Sequence, residues 1–230
     1  MILKTNDALI HYEIYGEKSN KLPLVFMHGN GENLHIFDEI YPYFKEQYII
    51  TIDSRMQGES TGEEISYELM KEDLINLLTS LDIPKCNFIG FSDGAIVGLL
   101  ASMETNIINK LFMIGLNISP KGLKKAVING IKIMAIVNKI SSLFNNKAKS
   151  KHKLLKLMLN EPRIKISRLR SVNAKAILFY GNKDMVKYSH ALEIKNNLPN
   201  PKFYLLNGTH FLIKDARDEV VKIIKEELNE

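Results

Sequence analysis

Residues 88–95 read Phe-Ile-Gly-Phe-Ser-Asp-Gly-Ala and place a serine between two apolar segments. The preceding segment, residues 85–91, is short and apolar, as expected of a buried strand. The following segment, residues 95–102, is rich in small apolar residues, as expected of a helix packed closely on a sheet. A Gly-x-Ser-x-Gly turn between a strand and a helix is sharp, crowded and strained, and it exposes the serine hydroxyl. We therefore predict that Ser92 is a nucleophile.

A serine hydroxyl is a poor nucleophile until a base takes its proton, and a third group holds that base. On a serine of this strand–turn–helix type, the acid and then the histidine follow later in the chain. His210 fits this order, because a strand-like run, residues 203–206, precedes it and an amphipathic helix is predicted after it. Open α/β sheets bind ligands at such strand ends. We predict His210 as the base, and we expect His152 and His190, in charged helix-like segments, to face solvent.

The acid is predicted at Asp184, which follows the apolar run 176–180 and the turn Gly-Asn-Lys. A carboxylate at this place would orient His210 and stabilise its imidazolium form. An aspartate in a turn is usually a capping or Asx-turn residue. The prediction therefore depends on the position of Asp184 in the chain, after Ser92 and before His210.

An oxyanion hole requires backbone N–H groups directed at the developing negative charge. The turn His-Gly-Asn-Gly at residues 28–31 follows a buried strand, residues 24–27. We assign one donor to the N–H of Asn30 and the other to the N–H of Asp93, the residue after the serine. His28 is expected to order the turn. Two roles for the Asp93 side chain stay open: it caps the next helix at its positive end, or it faces the acyl pocket and favours an amine-bearing substrate.

Five motifs together resemble the α/β-hydrolase superfamily. They are HGNG at 28–31, DSRMQGES at 53–60, GFSDG at 90–94, GNKD at 181–184 and GTH at 208–210. The resemblance extends over nearly the whole chain and implies an α/β-hydrolase fold of the serine-nucleophile, esterase-like branch. It also implies that Asp53 and Arg55 belong to a structural loop beside the active site. Serine rather than aspartate at position 92 argues against the haloalkane-dehalogenase and epoxide-hydrolase branches.

The alternation of strand-like and helix-like segments predicts an α/β fold, with a mostly parallel sheet covered by helices on both faces. A hairpin is expected over residues 2–5 and 8–15. Further strands are predicted at 24–27, 48–52, 86–91, 108–114, 176–180 and 202–206, and helices near 34–46, 67–81, 93–104, 188–198 and 218–228. Residues 1–117 and 174–230 then form the hydrolase core, and residues 118–173 form a small basic helical cap inserted in it.

The composition, 230 residues of which 45% are hydrophobic, suits one globular domain of ordinary size. The only cysteine, Cys86, excludes an intrachain disulfide and a metal site built from several cysteines. No apolar run approaches the roughly 20 residues needed to span a bilayer, and the first residues do not resemble a signal peptide. We therefore expect a cytoplasmic protein.

The charge is distributed unevenly. Residues 118–175 contain fifteen Lys or Arg and one acid, Glu161, whereas the rest of the chain is acidic overall. Two amphipathic helices are predicted here, within 122–144 and 151–159, with their apolar faces turned inward over the mouth of the site. Three explanations of the basic cap stay open: a solvated surface, an anionic substrate, or contact with an anionic membrane surface. Nucleic-acid binding is not supported, because no recognition motif or aromatic stacking platform is present.

These features predict a serine hydrolase that cleaves a small to medium carboxylic ester or thioester through an acyl-enzyme intermediate. No metal and no organic cofactor is expected, and the expected partner is a small-molecule ester. The same triad could act on an amide or a carbon–carbon bond, or run cofactor-free perhydrolase or haloperoxidase chemistry, because the fold does not fix the substrate. The alternative from a different class is a ligand-binding signalling protein with slow turnover.

Overall fold

Eight strands form a single sheet in the computed structural model, which describes residues 1–229. They are β1 (Ile2–Lys4), β2 (Leu9–Tyr15), β3 (Leu24–Met27), β4 (Ile49–Ile52), β5 (Cys86–Phe91), β6 (Ile108–Ile114), β7 (Lys175–Gly181) and β8 (Lys202–Leu206). Their spatial order is β1-β2-β4-β3-β5-β6-β7-β8. The pairs β1–β2 and β2–β4 are antiparallel and the other five are parallel. The predicted mostly parallel α/β sheet is confirmed.

The central strands are apolar along their length because both faces of the sheet are covered. In β3, Leu24 and Phe26 pack into one core, while Val25 and Met27 pack into the other. Both neighbours of β3 pair with it, so all four of its residues are buried. Continuous apolar runs of this kind are typical of parallel strands between two helical layers.

Seven α-helices lie within the described residues. They are α1 (Tyr67–Ser80), α2 (Asp93–Glu104), α3 (Lys125–Ser141), α4 (Asn146–Asn160), α5 (Tyr188–Asn197), α6 (Leu212–Asp215) and α7 (Arg217–Asn229). Helices α1, α2 and α5 contribute to the core on one face of the sheet, and α6 and α7 to the core on the other. Within residues 1–229, no helix has the length and apolar character required to cross a bilayer.

The structure corrects the helix predicted near 34–46. Two short 3₁₀ segments, Leu34–Phe37 and Tyr41–Phe44, occupy this region. Pro42 lies in the first turn of the second segment, and its missing N–H and its ring prevent a continuous α-helix. The apolar pattern still determines the packing, because Phe37 and Phe44 are buried in the core beneath the sheet face that carries Phe26.

Helices α3 and α4 lie between β6 and β7 in the chain and pack against each other. Helix α4 turns Leu154 and Leu155 inward, as predicted. Helix α3 buries Ile131 and Ala135, but most of its other apolar side chains face outward. The predicted inward apolar face is therefore wrong for most of α3. This helix carries apolar residues on nearly every side, and only the side toward α4 and the body of the protein is covered.

Candidate active site

Ser92 lies on the turn between β5 and α2, with φ +52° and ψ −109°. A positive φ is unfavourable for a residue with a side chain and stores backbone strain. The turn is also crowded: a Cβ on Gly94 would lie 2.1 Å from the carbonyl oxygen of Met27, and one on Gly90 would lie 2.5 Å from the backbone nitrogen of Ala95. Glycine is therefore required on both sides of the serine, as the sequence pattern indicates.

The three predicted side chains meet at the carboxyl ends of their strands: Ser92 follows β5, Asp184 follows β7 and His210 follows β8. His210 Nε2 lies 3.0 Å from Ser92 Oγ, and His210 Nδ1 lies 2.8 Å from Asp184 Oδ1. A carboxylate only accepts hydrogen bonds, so Nδ1 carries the proton and Nε2 can accept one from the serine hydroxyl. All three residues are buried, and Ser92 retains 7% exposure.

Neighbouring groups fix the acid and the histidine. Asp184 Oδ1 also accepts from the N–H of Val186 at 2.9 Å. The His210 ring packs against the ring of Phe91, with 5.2 Å between the centroids. Gly115, at φ +69°, provides the space beneath this ring, because a Cβ there would lie 2.5 Å from His210 Cε1. The imidazole is therefore held in one orientation between a carboxylate, an aromatic ring and the backbone.

The two predicted oxyanion donors lie on neighbouring turns, Asn30 on the turn after β3 and Asp93 directly after Ser92. Within residues 1–229, neither the N–H of Asn30 nor that of Asp93 has a protein hydrogen-bond acceptor. The Asn30 turn is tied to the serine turn, because the N–H of Gly94 donates to the carbonyl of His28 at 3.1 Å. Both N–H groups are therefore free to donate to a ligand oxygen, which the oxyanion assignment requires.

His28 orders this turn, as predicted, through both ring nitrogens. Its Nδ1 donates to the carbonyl of Gly29 at 2.7 Å, and its Nε2 accepts from the N–H of Ser54 at 2.9 Å. Complete burial lowers the pKa of His28, so the ring stays neutral and keeps this tautomer. The N–H of Gly31 is already occupied by a hydrogen bond of 2.6 Å to Gln57 Oε1.

The Asp93 carboxylate is occupied by two donors. Asn30 Nδ2 donates to Oδ2 at 2.9 Å, and the hydroxyl of Tyr67 donates to Oδ1 at 2.8 Å. Burial raises the pKa of Asp93, although both donors and the nearby His210 oppose this effect. The side chain does not face an open acyl pocket. It connects the serine turn, the Asn30 turn and the start of α1.

Asp53 and Arg55 form the structural loop that the resemblance implies. Asp53 accepts from the N–H of Leu34 at 2.8 Å and contacts the ring of His11 at 2.9 Å. Arg55 is buried and binds both oxygens of Asp73, at 2.7 and 2.9 Å. These bonds hold the loop that carries Gln57 next to the Asn30 turn.

His190 corrects the prediction that it faces solvent. It is buried, and its Nε2 accepts from the N–H of Ile118 at 3.2 Å. Burial lowers its pKa, so it acts as a neutral acceptor that ties the start of the cap segment to α5. His152 is half-buried rather than solvated, and its ring contacts the carbonyl of Ala135 at 2.8 Å. Neither ring hydrogen-bonds to Ser92.

A cavity of about 640 Å³ lies between the cap helices and the Asn30 turn. Its apolar lining comes from Ile131, Met134, Leu154, Leu155 and Met158 of α3 and α4, together with Met56 of the loop after β4. Its charged lining consists of Lys147 and Lys151 of α4 and of Glu32, and Asn30 lines it as well. The Asn30 amide contacts the main-chain carbonyl of Leu154 at 3.4 Å, which connects the cap to the predicted oxyanion turn.

A profile of the family described as alpha/beta hydrolase fold matches residues 23–216. The chain belongs to this family. Relatives of this alpha/beta hydrolase include the sn-1-specific diacylglycerol lipase ABHD11 of Danio rerio, 32% identical over 114 residues, which cover 47% of the chain and 35% of the relative. Strigolactone esterase RMS3 of Pisum sativum is 30% identical over 112 residues, covering 45% of the chain and 42% of the relative. The alignments thus span less than half of these curated relatives.

Among solved structures, this alpha/beta hydrolase is similar to MGS-M2, an alpha/beta hydrolase enzyme from a Medee basin deep-sea metagenome library. The TM-score is 0.86 at 18% identity, and the match covers 100% of this chain and 98% of the other. At this identity the likeness shows the fold. The predicted resemblance to the superfamily is confirmed by the family match.

Two residues that support the site were not predicted. Tyr67 is the first residue of α1, and nothing in the local sequence indicates that its hydroxyl reaches Asp93. Gln57 belongs to the DSRMQGES motif, whose position after β4 is a usable signal. Its hydrogen bond to the N–H of Gly31 depends on the pairing of β3 with β4, which brings the loops after these two strands together.

Proposed function

We propose that this alpha/beta hydrolase cleaves small to medium carboxylic esters or thioesters with Ser92 as the nucleophile. The observation that carries the proposal is the continuous hydrogen-bond chain from Asp184 through His210 to Ser92, beside two unpaired backbone N–H groups. These three hydrogen-bonded residues supply a nucleophile, a base and a group that orients the base. Esterases and a lipase among its relatives support the same reaction class.

In the first half-reaction, Ser92 Oγ attacks the carbonyl carbon while His210 Nε2 takes the hydroxyl proton. The carbonyl π electrons move onto the oxygen, which accepts hydrogen bonds from the N–H groups of Asn30 and Asp93. When the tetrahedral intermediate collapses, the bond to the leaving oxygen or sulfur breaks. His210 returns its proton to that atom, and the acyl group remains on Ser92.

In the second half-reaction, His210 takes a proton from water and the resulting hydroxide attacks the acyl carbon. The same two N–H groups hold the second oxyanion. The bond to Ser92 Oγ then breaks, and the serine oxygen recovers the proton from His210. A carboxylic acid leaves, and the site returns to its starting state without a net change in protons on the protein.

The cavity under the cap supports an apolar acyl or alkyl group of moderate size. Its volume of about 640 Å³ falls within the range of small-molecule sites, which are mostly apolar with a few polar groups. Met134, Leu154 and Leu155 provide the apolar contacts, next to Asn30. We therefore expect kcat/KM to rise along a series of nitrophenyl esters from acetate to medium acyl chains.

Labelling with a fluorophosphonate and turnover of the nitrophenyl ester series test the proposal. Ser92→Ala should abolish labelling and turnover while the thermal transition is retained. Ser54→Ala is the matched control, because Ser54 is buried close to the site and its Oγ has no hydrogen-bond partner within residues 1–229. This control should label and turn over normally. Labelling that persists in Ser92→Ala would contradict the nucleophile, and labelling without turnover of any ester would favour a ligand-binding protein.

A further inference from the structure

Helix α3 and the segment after it expose an unusual amount of apolar surface. Ile133, Ile136, Val137 and Ile140 follow the spacing i, i+3, i+4, i+7 and therefore lie on one side of the helix. Leu143 and Phe144 extend this side beyond the helix end, with 75% and 91% of their surfaces exposed. We call these six residues the outer face. Contiguous exposed apolar patches on soluble proteins mark interaction sites.

A row of lysines runs along one edge of the outer face. Lys125, Lys132 and Lys139 are spaced by seven residues, so they lie in line along α3. All three are exposed, and none has an ion-pair partner within residues 1–229. The sequence contains no acidic residue from 105 to 160. Whatever covers the outer face therefore meets apolar side chains and uncompensated positive charge together.

This charge pattern decides between the occupants of the outer face. A second copy docked by the same face would add a second lysine row to an interface where residues 105–160 provide no acid to compensate it, and accumulated like charge opposes association. An anionic bilayer provides both an apolar phase and negative headgroups, and helices with one apolar side and flanking lysines lie in such interfaces. We infer that the outer face of α3 docks the protein onto anionic lipid surfaces.

The docking surface is continuous with the cavity near the site. Met134 is partly exposed and lines the cavity, and it is three positions from Val137 of the outer face. Residues three apart on a helix are neighbours. An apolar path thus leads from the docked face to the space beside Asn30. Docking itself does not depend on the proposed hydrolysis, so the two can be tested separately.

Flotation of the full-length protein with lipid vesicles tests the inference. Vesicles of equimolar phosphatidylglycerol and phosphatidylcholine should carry the protein to the top of the gradient, and pure phosphatidylcholine vesicles should not. The variant I136D/I140D should lose at least tenfold in binding, because both side chains leave the apolar phase. L205D, at an exposed leucine of β8, is the matched control and should float like the wild type.

The lysine row is tested by charge reversal, with a control variant that has the same net charge. K132E/K139E should weaken vesicle binding strongly, since each basic residue near an anionic surface contributes roughly a fivefold factor. K45E/K85E changes the net charge by the same amount at exposed lysines outside the cap and should bind normally. Hydrolysis of a soluble nitrophenyl ester and the thermal transition should stay unchanged in all four variants, which shows that they fold.

Three outcomes would overturn the inference. Wild-type protein that fails to float with anionic vesicles would exclude a lipid surface and leave an acidic protein as the occupant. Equal losses in the variants and their matched controls would show that the outer face is not the binding element. A dimer in sedimentation analysis that I136D/I140D dissociates, without vesicle binding, would assign the face to self-association.

Discussion

At the scale of single residues, Ser92, Asp184 and His210 form one hydrogen-bonded unit. The imidazole receives its orientation from Asp184, and the serine hydroxyl has the imidazole nitrogen at 3.0 Å as its partner. If any one of the three is removed, the other two can no longer perform their steps of the proposed reaction. Groups that act as a unit give strongly non-additive losses when they are mutated together.

His210→Ala should therefore lower kcat by on the order of 10³-fold or more, and Ser92→Ala/His210→Ala should be no worse than Ser92→Ala alone. Single-turnover kinetics with a nitrophenyl ester provides the measurement. His35→Ala is the matched control, since His35 is exposed and pairs only with nearby Asp38. The base is misassigned if His190→Ala is as damaging while His210→Ala retains near-normal activity.

The buried Asp93 carboxylate gives a prediction with a pH dependence. Burial raises its pKa, so ionised Asp93 costs stability in the folded state, and this cost grows as the pH rises through the folded pKa. Asp93→Asn removes the charge, and an asparagine can still bond to Asn30 and Tyr67. The thermal transition of Asp93→Asn, relative to the wild type, should therefore improve as the pH rises from about 4 to 7.

Asp93→Ala is the contrasting variant, because it leaves the Asn30 amide and the Tyr67 hydroxyl without their buried acceptor. It should lower the free energy of unfolding by about 1–3 kcal/mol and reduce kcat through a mobile Asn30 turn. Equal kinetics for Asp93→Ala and Asp93→Asn would show that the side chain does not position this turn.

At the scale of elements, strands were predictable because burial on both faces leaves a continuous apolar run. Residues 86–91 and 24–27 are such runs, and each agrees with a strand of the structure. The predicted site residues come together because each follows a strand, although their catalytic roles stay predictions. Apolar periodicity does not show which side of a helix packs against the rest of the protein. For this reason the sequence does not predict the exposed apolar side of α3. The burial of His190 depends on a tertiary bond to Ile118 and was missed for the same reason.

The turn between β5 and α2 leaves no room for a side chain at Gly94, and a substitution can test this. Gly94→Ala would place a methyl group 2.1 Å from the Met27 carbonyl oxygen, which belongs to the backbone of β3 and cannot move aside. We expect the free energy of unfolding to fall by about 1–3 kcal/mol and the activity to be lost. Denaturant unfolding followed by circular dichroism measures the first effect.

Gly130→Ala is the matched control for that substitution. Gly130 lies within α3, and apart from its chain neighbours and the backbone of its own helix no atom lies within 4 Å of an added Cβ. Alanine should stabilise the helix by about 0.8–1.0 kcal/mol, because glycine loses more backbone entropy on folding. The two Gly→Ala substitutions should therefore change the free energy of unfolding in opposite directions. A destabilised Gly130→Ala would contradict the open surroundings described for this position.

At the scale of the whole molecule, charge is separated between the cap region and the rest of the chain. The cap carries nearly half of the lysines and arginines with one acid, whereas the body is acidic overall. Lys147 and Lys151 place part of this charge at the cavity, where Glu32 is the one acidic residue of the lining. Clustered like charge around a cleft raises the local concentration of counter-ions and their rate of association. If substrates enter through this cavity, which Asn30 also lines, these lysines should favour anionic ones.

An anionic ester should therefore respond to salt where a neutral ester does not. Its kcat/KM should fall as salt rises from low to physiological strength, because the Debye length shortens to about 8 Å and screens the two lysines. The variant K147E/K151E should remove the difference between the esters, and K45E/K85E should preserve it at the same net charge. Flat salt profiles for both esters would show that Lys147 and Lys151 only interact with solvent. A salt effect that survives K147E/K151E would instead place the responsible charge elsewhere on the cap, with the lysine row of α3 as the next set to reverse.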